Sequence, residues 1–592
     1  GGSVIAPATG SGRWLRRRLG DVASIKWFGA RGDGATDDAA RIQAAVNWAS
    51  TANVRNLFVP PVADSYRTTT TVTLPANVRL FGVGYASCIK MTSSSGTAPD
   101  ISHPNILSIN GSDVIIESLR LQGPNVIDGY YPSNSQLSYG IYGANTHNRV
   151  RIRDNFIHGC IFAGMYLFLA GDTEITGNIL WENNGGKSYD ISVSGNGNTG
   201  ALMERIRITD NFCLSNSDLG IALGVPNALA KETLVARNHI VSLRAGIPAT
   251  GTACLRRHSV VISYPNSSLE QRVVVDSNVM RFTKWSGVYA VQGANSFPGP
   301  FVVTNNHISD FGYEPSNNTP APLQGGVNIA AMGKADVVVG NVIQRSANAV
   351  VGVKVTLSYG ETADTRCMLI AFNSISECEQ GVWIINSGRN VHVAGNMFYA
   401  NRANDIRVAL ATSTTQDYKL LITGNVFRRT ATSEAAIFIN QQSSATVVKV
   451  DGNQFYGADK TVVNNAGNTP INLQPARVQF TNNLVKNFYN GFWYQSYISV
   501  RQREIQIDYN RFEEIGGTAI PLTRSAVGAC IVHEGNQFVN CNAILGNAGF
   551  LGQIDGDKFT VFSSGIPGIG TWQAGDRAWN TNPAVGQPVG WV

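Results

Sequence analysis

Four acidic residues recur at one offset in this 592-residue sequence. Glu182, Asp310, Glu377 and Glu514 each stand four positions past an asparagine that belongs to a longer series: Asn178, Asn306, Asn373 and Asn510. Six or seven positions past such asparagines, a second group mixes both signs of charge with an indole: Asp218, Arg244, Lys284, Trp285 and Glu379. Paired carboxylates can share general acid and base work, about 5–5.5 Å apart for retaining or about 6.5–9.5 Å for inverting glycoside hydrolysis. A cation beside a base suits β-elimination from an acidic sugar, because it holds the charge that develops on the carboxylate. Trp285 offers a flat apolar face to a pyranose ring. The outward row reads as a sugar-binding groove. Asp218, Glu182, Glu379, Lys284 and Arg244 are its catalytic candidates. Trp285, Asp310 and Asp190, the last on the outer strand SYDISVS, are its substrate-binding candidates. His258 and His307 are secondary, and His239 and His307, each beside a turn asparagine, read better as packed turn residues. The plainer reading of any one of these residues is a solvated edge.

What must position them is a repeat. A short alternating strand, an asparagine, any residue and then an apolar residue occur as RIRDNFI at Asn155, EITGNIL at Asn178, RITDNFC at Asn211 and onward to VHEGNQF at Asn536. There are fourteen copies, at Asn155, Asn178, Asn211, Asn238, Asn278, Asn306, Asn341, Asn373, Asn396, Asn425, Asn453, Asn483, Asn510 and Asn536. Two positions past each the residue is apolar, and three positions before each it is apolar except at His533. Alternation buries one face of a strand, and a fixed period of this size is the mark of a solenoid. The asparagine is expected at a sharp bend, as a residue tolerant of left-handed backbone, with its amide pairing from coil to coil. A second apolar stretch, as in GIALG at 220 or GVWII at 381, gives each coil at least two strands. The expected fold is all-β: a right-handed single-stranded parallel β-helix with coils about 4.8 Å apart. Irregular spacings place longer loops near 247–259, 293–300, 312–325 and 357–366, and loops on a rigid scaffold are where sites are built.

Charged residues make up 15% and there are 61 glycines, which argues for many turns and against a helical bundle. The net charge of +6 is mild, and its one dense run, Arg13 to Arg18, reads as a solvated neck rather than a nucleic-acid face. Eight cysteines without a CxxC exclude a zinc ribbon or redox motif and read as reduced core residues. No apolar run is long enough to span a membrane. Gly1-Gly2-Ser3 reads as a leftover joined ahead of the natural sequence.

Residues 36–49 read as a capping helix. Thr36 is the expected N-cap, Asp37 and Asp38 favour its positive end, and Ile42, Ala45, Val46 and Ala49 form its apolar stripe. The stretch FGARGDGATDDAARIQAAV from Phe28 resembles the opening segment of the pectate-lyase-like right-handed β-helix superfamily, which phage tailspikes and tail-fibre depolymerases share. The last residues, GTWQAGDRAWNTNPAVGQPVGWV, resemble a segment that closes such β-helices. The expected layout is a neck at 1–25, an N-terminal cap at 26–80, the β-helix at 81–555 and a closing segment at 556–592. The resemblance implies a homotrimer on a phage tail, joined through a preceding N-terminal region. It would act at the bacterial cell surface by endo-cleavage of a surface polysaccharide (O-antigen or capsule), with elimination favoured over hydrolysis. A non-catalytic glycan-binding adhesin and a secreted pectinase or epimerase are the alternatives. Pectate lyases hold calcium on stacked aspartates, and three stacked carboxylates are not found here. No metal or other cofactor is therefore expected.

Overall fold

The computed structural model describes residues 21–52, 54–92, 104–124, 139–144, 147–160, 162–169, 171–183, 189–195, 204–215, 219–224, 231–242, 258–264, 272–283, 285–292, 300–312, 325–330, 335–346, 350–356, 367–385, 390–409, 418–430, 434–440, 446–462, 469–473, 477–494, 503–520, 529–532 and 535–545, with backbone alone at some strand ends and in short strands at 4–5, 14–15, 552–555, 558–563, 577–580 and 590–591. They form two compact units, residues 1–321 and 322–592.

In the first unit each coil makes three short strands, within the expected minimum of two. Val150–Arg153, Phe156–His158 and Ala163–Leu169 pair in parallel with their counterparts one coil later, Ile152 opposite Ile175, Ile157 opposite Leu180 and Met165 opposite Ile191. Repetition builds three parallel sheets, here sheet 1 before the asparagine, sheet 2 after it and sheet 3 beyond a second corner. The second unit repeats the scheme, with Ile370 opposite Val393, Ile375 opposite Phe398 and Val382 opposite Ile406. The fold is a right-handed single-stranded parallel β-helix. Its core is the inward row of each sheet. The apolar residues two past the asparagine are buried from Ile157 to Phe512, and in the second unit Phe398, Phe427 and Phe455 stack with ring centroids 5.0 and 4.6 Å apart.

The asparagines do form ladders. In the first unit the backbone N–H and Nδ2 of Asn155 both donate to Oδ1 of Asn178, at 3.1 and 3.0 Å. The same double bond links Asn178 to Asn211, Asn211 to Asn238, Asn238 to Asn278, and Asn278 to Asn306. In the second unit it runs without a break from Asn341 to Asn536. The expected reason for the bend is corrected. The left-handed residue is the one before each asparagine, at all fourteen copies: Asp154, Gly177, Asp210, Arg237, Ser277, Asn305, Gly340, Phe372, Gly395, Gly424, Gly452, Asn482, Tyr509 and Gly535. The ladder asparagine is selected for its amide, which caps buried backbone, and not for its tolerance of positive φ.

The helix runs from Ala39 to Thr51, starting and ending two to three residues later than expected, and buries Ile42, Ala45, Val46 and Ala49. Asp38 rather than Thr36 holds the N-cap position, but its carboxylate accepts the N–H groups of Arg31 and Gly32 at 2.9 Å each and so turns the preceding loop. Thr36 instead binds Asp33. The sheet 1 ladder also starts earlier than 81: Val22–Ser24 pairs with Asn56–Phe58, which pairs with Arg79–Phe81, so the helix lies between the first two rungs.

The outer edges of sheet 1 in the first unit are neutralised rung by rung. Glu117 is clamped by Arg79 at 2.8 Å and Arg153 at 3.0 Å, Asp113 by Arg149, Asp172 by Arg205 and Asp210 by Arg237. These arginines hold the carboxyls below their ordinary range. On sheet 2, burial, together with Arg120 and Lys90, pulls His158 down to about 4, and its Nε2 accepts from Arg120 Nε at 3.1 Å. A base with a depressed folded pKa binds its proton more weakly in the native state. Its contribution to stability is therefore complete above about pH 6.5 and is lost as the pH falls from there towards the depressed value. The thermal unfolding temperature is expected to fall over that window, and His158→Gln, which keeps an acceptor for Arg120, is expected to flatten the loss. An unchanged pH slope in the variant would remove His158 from the account.

Candidate functional site

Asp218, Arg244 and Lys284 lie outside the described residues. The row four past the asparagine has a conformational origin. Glu182 and Asp310 in the first unit, and Glu377 and Glu514 in the second, all have left-handed backbone at the second corner. Phe282 and Arg345 do the same at that offset, so the row marks a bend and not a charge pattern. No two successive coils carry a carboxylate there. This row therefore supplies no stacked acid pair.

The described candidates are not brought together. Glu182 is exposed, whereas Asp310 is nearly buried, with Arg281 Nη2 3.5 Å from it. Glu379 is half-buried, 3.3 Å from Arg402 Nε, and Arg402 also donates to Ser346. Trp285 packs edge-on against His258, which stacks on Tyr289 at 4.6 Å. Asp190 does not face outward. It is fully buried and accepts from the Ser215 hydroxyl. The strand register explains this: Asp190 takes the second place of its sheet 3 strand, where neighbouring coils have Gly140, Gly164, Gly220, Ser259 and Gly287. That place is a crowded inner corner, and a Cβ at Gly164 would come 2.6 Å from the Leu180 side chain.

The face that gathers chemistry is the outside of sheet 3. In the first unit its outward row reads Tyr142, Tyr166, Ser192, Ala222, Val261 and Tyr289 by register. At one end Tyr139, Tyr142 and Tyr166 lie nearly parallel, with Tyr139 5.2 Å from Tyr142 and 4.9 Å from Tyr166, and Phe168 and Tyr189 pack around them. At the other end stand Tyr289, His258 and Trp285. Between them the row shrinks to Ser192, Ala222 and Val261, all three buried, so two aromatic clusters stand four rungs apart, roughly 19 Å by strand spacing.

In the second unit the same row reads Asn328, Lys354, Trp383, Arg407, Phe438, Asn472 and Trp493. Its inward neighbours Val353, Val382, Ile406, Ile437 and Ile471 are buried, which forces this row outward by strand alternation. Lys354 Nζ lies 5.7 Å and Arg407 Cζ 5.5 Å from the Trp383 ring, and Arg407 is 5.9 Å from Phe438. Burial holds the Lys354 ammonium below its usual pKa. Trp383 Nε1, Arg407 Nε, Asn472 Oδ1 and Trp493 Nε1 are all shielded from water yet make no hydrogen bond. None of these residues was among the sequence candidates.

No protein-family model matches the sequence, and no curated protein matches it. Phage tailspikes and other carbohydrate-active β-helix proteins are among the solved structures it resembles. The Dettilon tailspike protein is 16% identical over 75% of this chain and 67% of its own, with a TM-score of 0.35. The tailspike of E. coli bacteriophage HK620, in complex with a pentasaccharide, is 11% identical over 91% and 82%, with a TM-score of 0.34. DFA-IIIase from Arthrobacter chlorophenolicus A6 is 13% identical over 73% and 99%, with a TM-score of 0.40.

Proposed function

We propose that this chain is a tailspike-type protein that binds a bacterial surface polysaccharide, O-antigen or capsule, and depolymerises it by endo-cleavage. The observation that supports this most is the aromatic lining of sheet 3. Flat side chains along a straight ladder suit a long chain of pyranose rings, which stack by their apolar faces and leave their hydroxyls to polar neighbours. Sheet 1, with its edges closed by ion pairs, offers no comparable surface in the first unit. The protein acts as a homotrimer of the virion at the bacterial cell surface.

Elimination is favoured over hydrolysis, because cations stand beside the aromatic row and the bend carboxylates do not pair in successive coils. Asp218, Glu182, Arg244 and Lys284 in the first unit and Glu379 in the second are the candidates for the catalytic groups, with Trp285 and Asp310 as substrate contacts. Incubation with purified polysaccharides from the host surface tests the reading. Fragments carrying the ultraviolet absorbance of an unsaturated uronide are the expected product. New reducing ends without that absorbance would assign hydrolysis instead, and binding without fragments would leave an adhesin.

A further inference from the structure

We propose that the outer face of sheet 3 in the second unit binds an anionic saccharide in which charged and neutral sugars alternate. The proposal rests on the glycan-binding reading above and names the class of glycan.

The row from Lys354 to Phe438 alternates cation and ring: Lys354, Trp383, Arg407, Phe438. Like groups are two rungs apart, about 10 Å by strand spacing. A pyranose in an extended chain advances by a distance close to one rung. A glycan lying along the stack therefore meets a stacking ring and a cation in turn, and its acidic sugars would fall on Lys354 and Arg407 while its neutral sugars lie over Trp383 and Phe438. The row holds two cations and no carboxylate, so its field favours an anionic partner.

The unpartnered polar atoms point to the same occupant. A buried donor or acceptor without a partner is costly, and native proteins tolerate it mainly where a ligand or water completes it. Here four such atoms, Trp383 Nε1, Arg407 Nε, Asn472 Oδ1 and Trp493 Nε1, stand on four rungs of this one row. A ring and a guanidinium stacked only for stability would leave their N–H groups to solvent. Three donors and one acceptor match a partner rich in hydroxyl and carboxylate oxygens. Single-stranded nucleic acid is also read by cations and rings, but the mixture of an asparagine acceptor with aliphatic flanks at Ile385 and Ala409 suits a sugar chain better.

The test uses the full chain and an array of purified bacterial capsular and O-antigen polysaccharides, half carrying uronate, sialate or pyruvyl groups and half neutral, with oligo-dT as a further probe. The polysaccharides bound are expected to be anionic. Reducing the carboxyls of a bound polysaccharide to alcohols is expected to weaken it about 100-fold. Lys354→Met and Arg407→Met are each expected to cost about tenfold, as loss of a charge-assisted hydrogen bond does, and Trp383→Ala about tenfold through lost stacking. All three side chains face outward, and unchanged thermal unfolding of the variants separates these losses from misfolding. Tight binding of neutral polysaccharides that still depends on Trp383 would overturn the anionic class and leave the glycan reading standing. Binding that ignores Lys354, Arg407 and Trp383 would overturn the site. Preference for oligo-dT, or no polysaccharide bound at all, would overturn both.

Discussion

Asn425→Ala is expected to open the middle of the second unit. Oδ1 of Asn425 accepts from the backbone N–H and the Nδ2 of Asn396, both at 2.9 Å, and its Nδ2 donates to Val393 O at 2.9 Å and Asn453 Oδ1 at 2.9 Å. Truncation leaves two donors and a carbonyl unpaired inside the coil. At about 1–3 kcal/mol for each unsatisfied buried group, the loss is about 3–9 kcal/mol, a large part of the stability of an ordinary domain. Hydrogen exchange should show it first at the backbone amides of residues 393–453. Asn425→Asp provides the control. It keeps an acceptor for Asn396 but turns a carboxylate oxygen on Val393 O and Asn453 Oδ1, so its cost should be highest at neutral pH and fall in acid, where the protonated carboxyl can donate again. An alanine variant within about 1 kcal/mol of the parent would mean that the ladder satisfies polar groups that water could serve as well.

This ladder was the part of the structure most open to sequence reading, because its register is rigid. The asparagine, the apolar residue two places on and, except at His533, the apolar residue three places before keep fixed offsets in all fourteen copies, so one alignment finds them. The left-handed residue beside it was hidden by its variety. Asp154, Arg237, Phe372 and Tyr509 share a backbone conformation and no chemistry. The second corner shows the opposite: Glu182 and Glu377 share an offset because a bend that tolerates many residue types holds acids there, so the spacing by itself marks the bend.

The outward row of sheet 3 could not be aligned at all. Lys354 lies 13 places past Asn341, Trp383 10 past Asn373, Arg407 11 past Asn396 and Asn472 19 past Asn453. The loops before sheet 3 vary in length, and only hydrogen-bond register brings these residues onto one line. Asp190 shows the same blindness at the scale of one residue. The strand was read correctly, but a shift of one place exchanges outside for inside.

Arg429→Met is expected to damage the second unit as severely, and to do so with a pH signature. Arg429 and Asp405 are both buried, 3.4 Å apart. Asp405 also accepts from Asn401 Nδ2 at 2.8 Å, and Arg429 donates to Glu434 O at 2.8 Å and to Ala403 O. Burial raises the Asp405 carboxyl above its ordinary pKa, with Arg429 and Asn401 pulling against that rise. Losing the guanidinium strands a buried acid and two carbonyls, at a cost of about 3–5 kcal/mol. The acid then binds its proton more tightly folded than unfolded. The variant's stability should therefore be greatest below the ordinary carboxylate pKa and decline as the pH rises through the raised value. Asp405→Asn/Arg429→Met removes both charges and should recover part of the loss with a flat pH profile, whereas equal damage in the single and double variants would show that the backbone contacts matter and the charge pair does not. The consequence reaches the outer face. Asp405 N donates to Ala436 O and Val382 N to Asp405 O, both at 2.8 Å, so this corner fixes the start of the strand Ile406–Ala409 on which Arg407 stands. A variant that shifts that strand should lose saccharide affinity although Arg429 itself never meets the ligand, and the double variant should regain affinity in step with its stability.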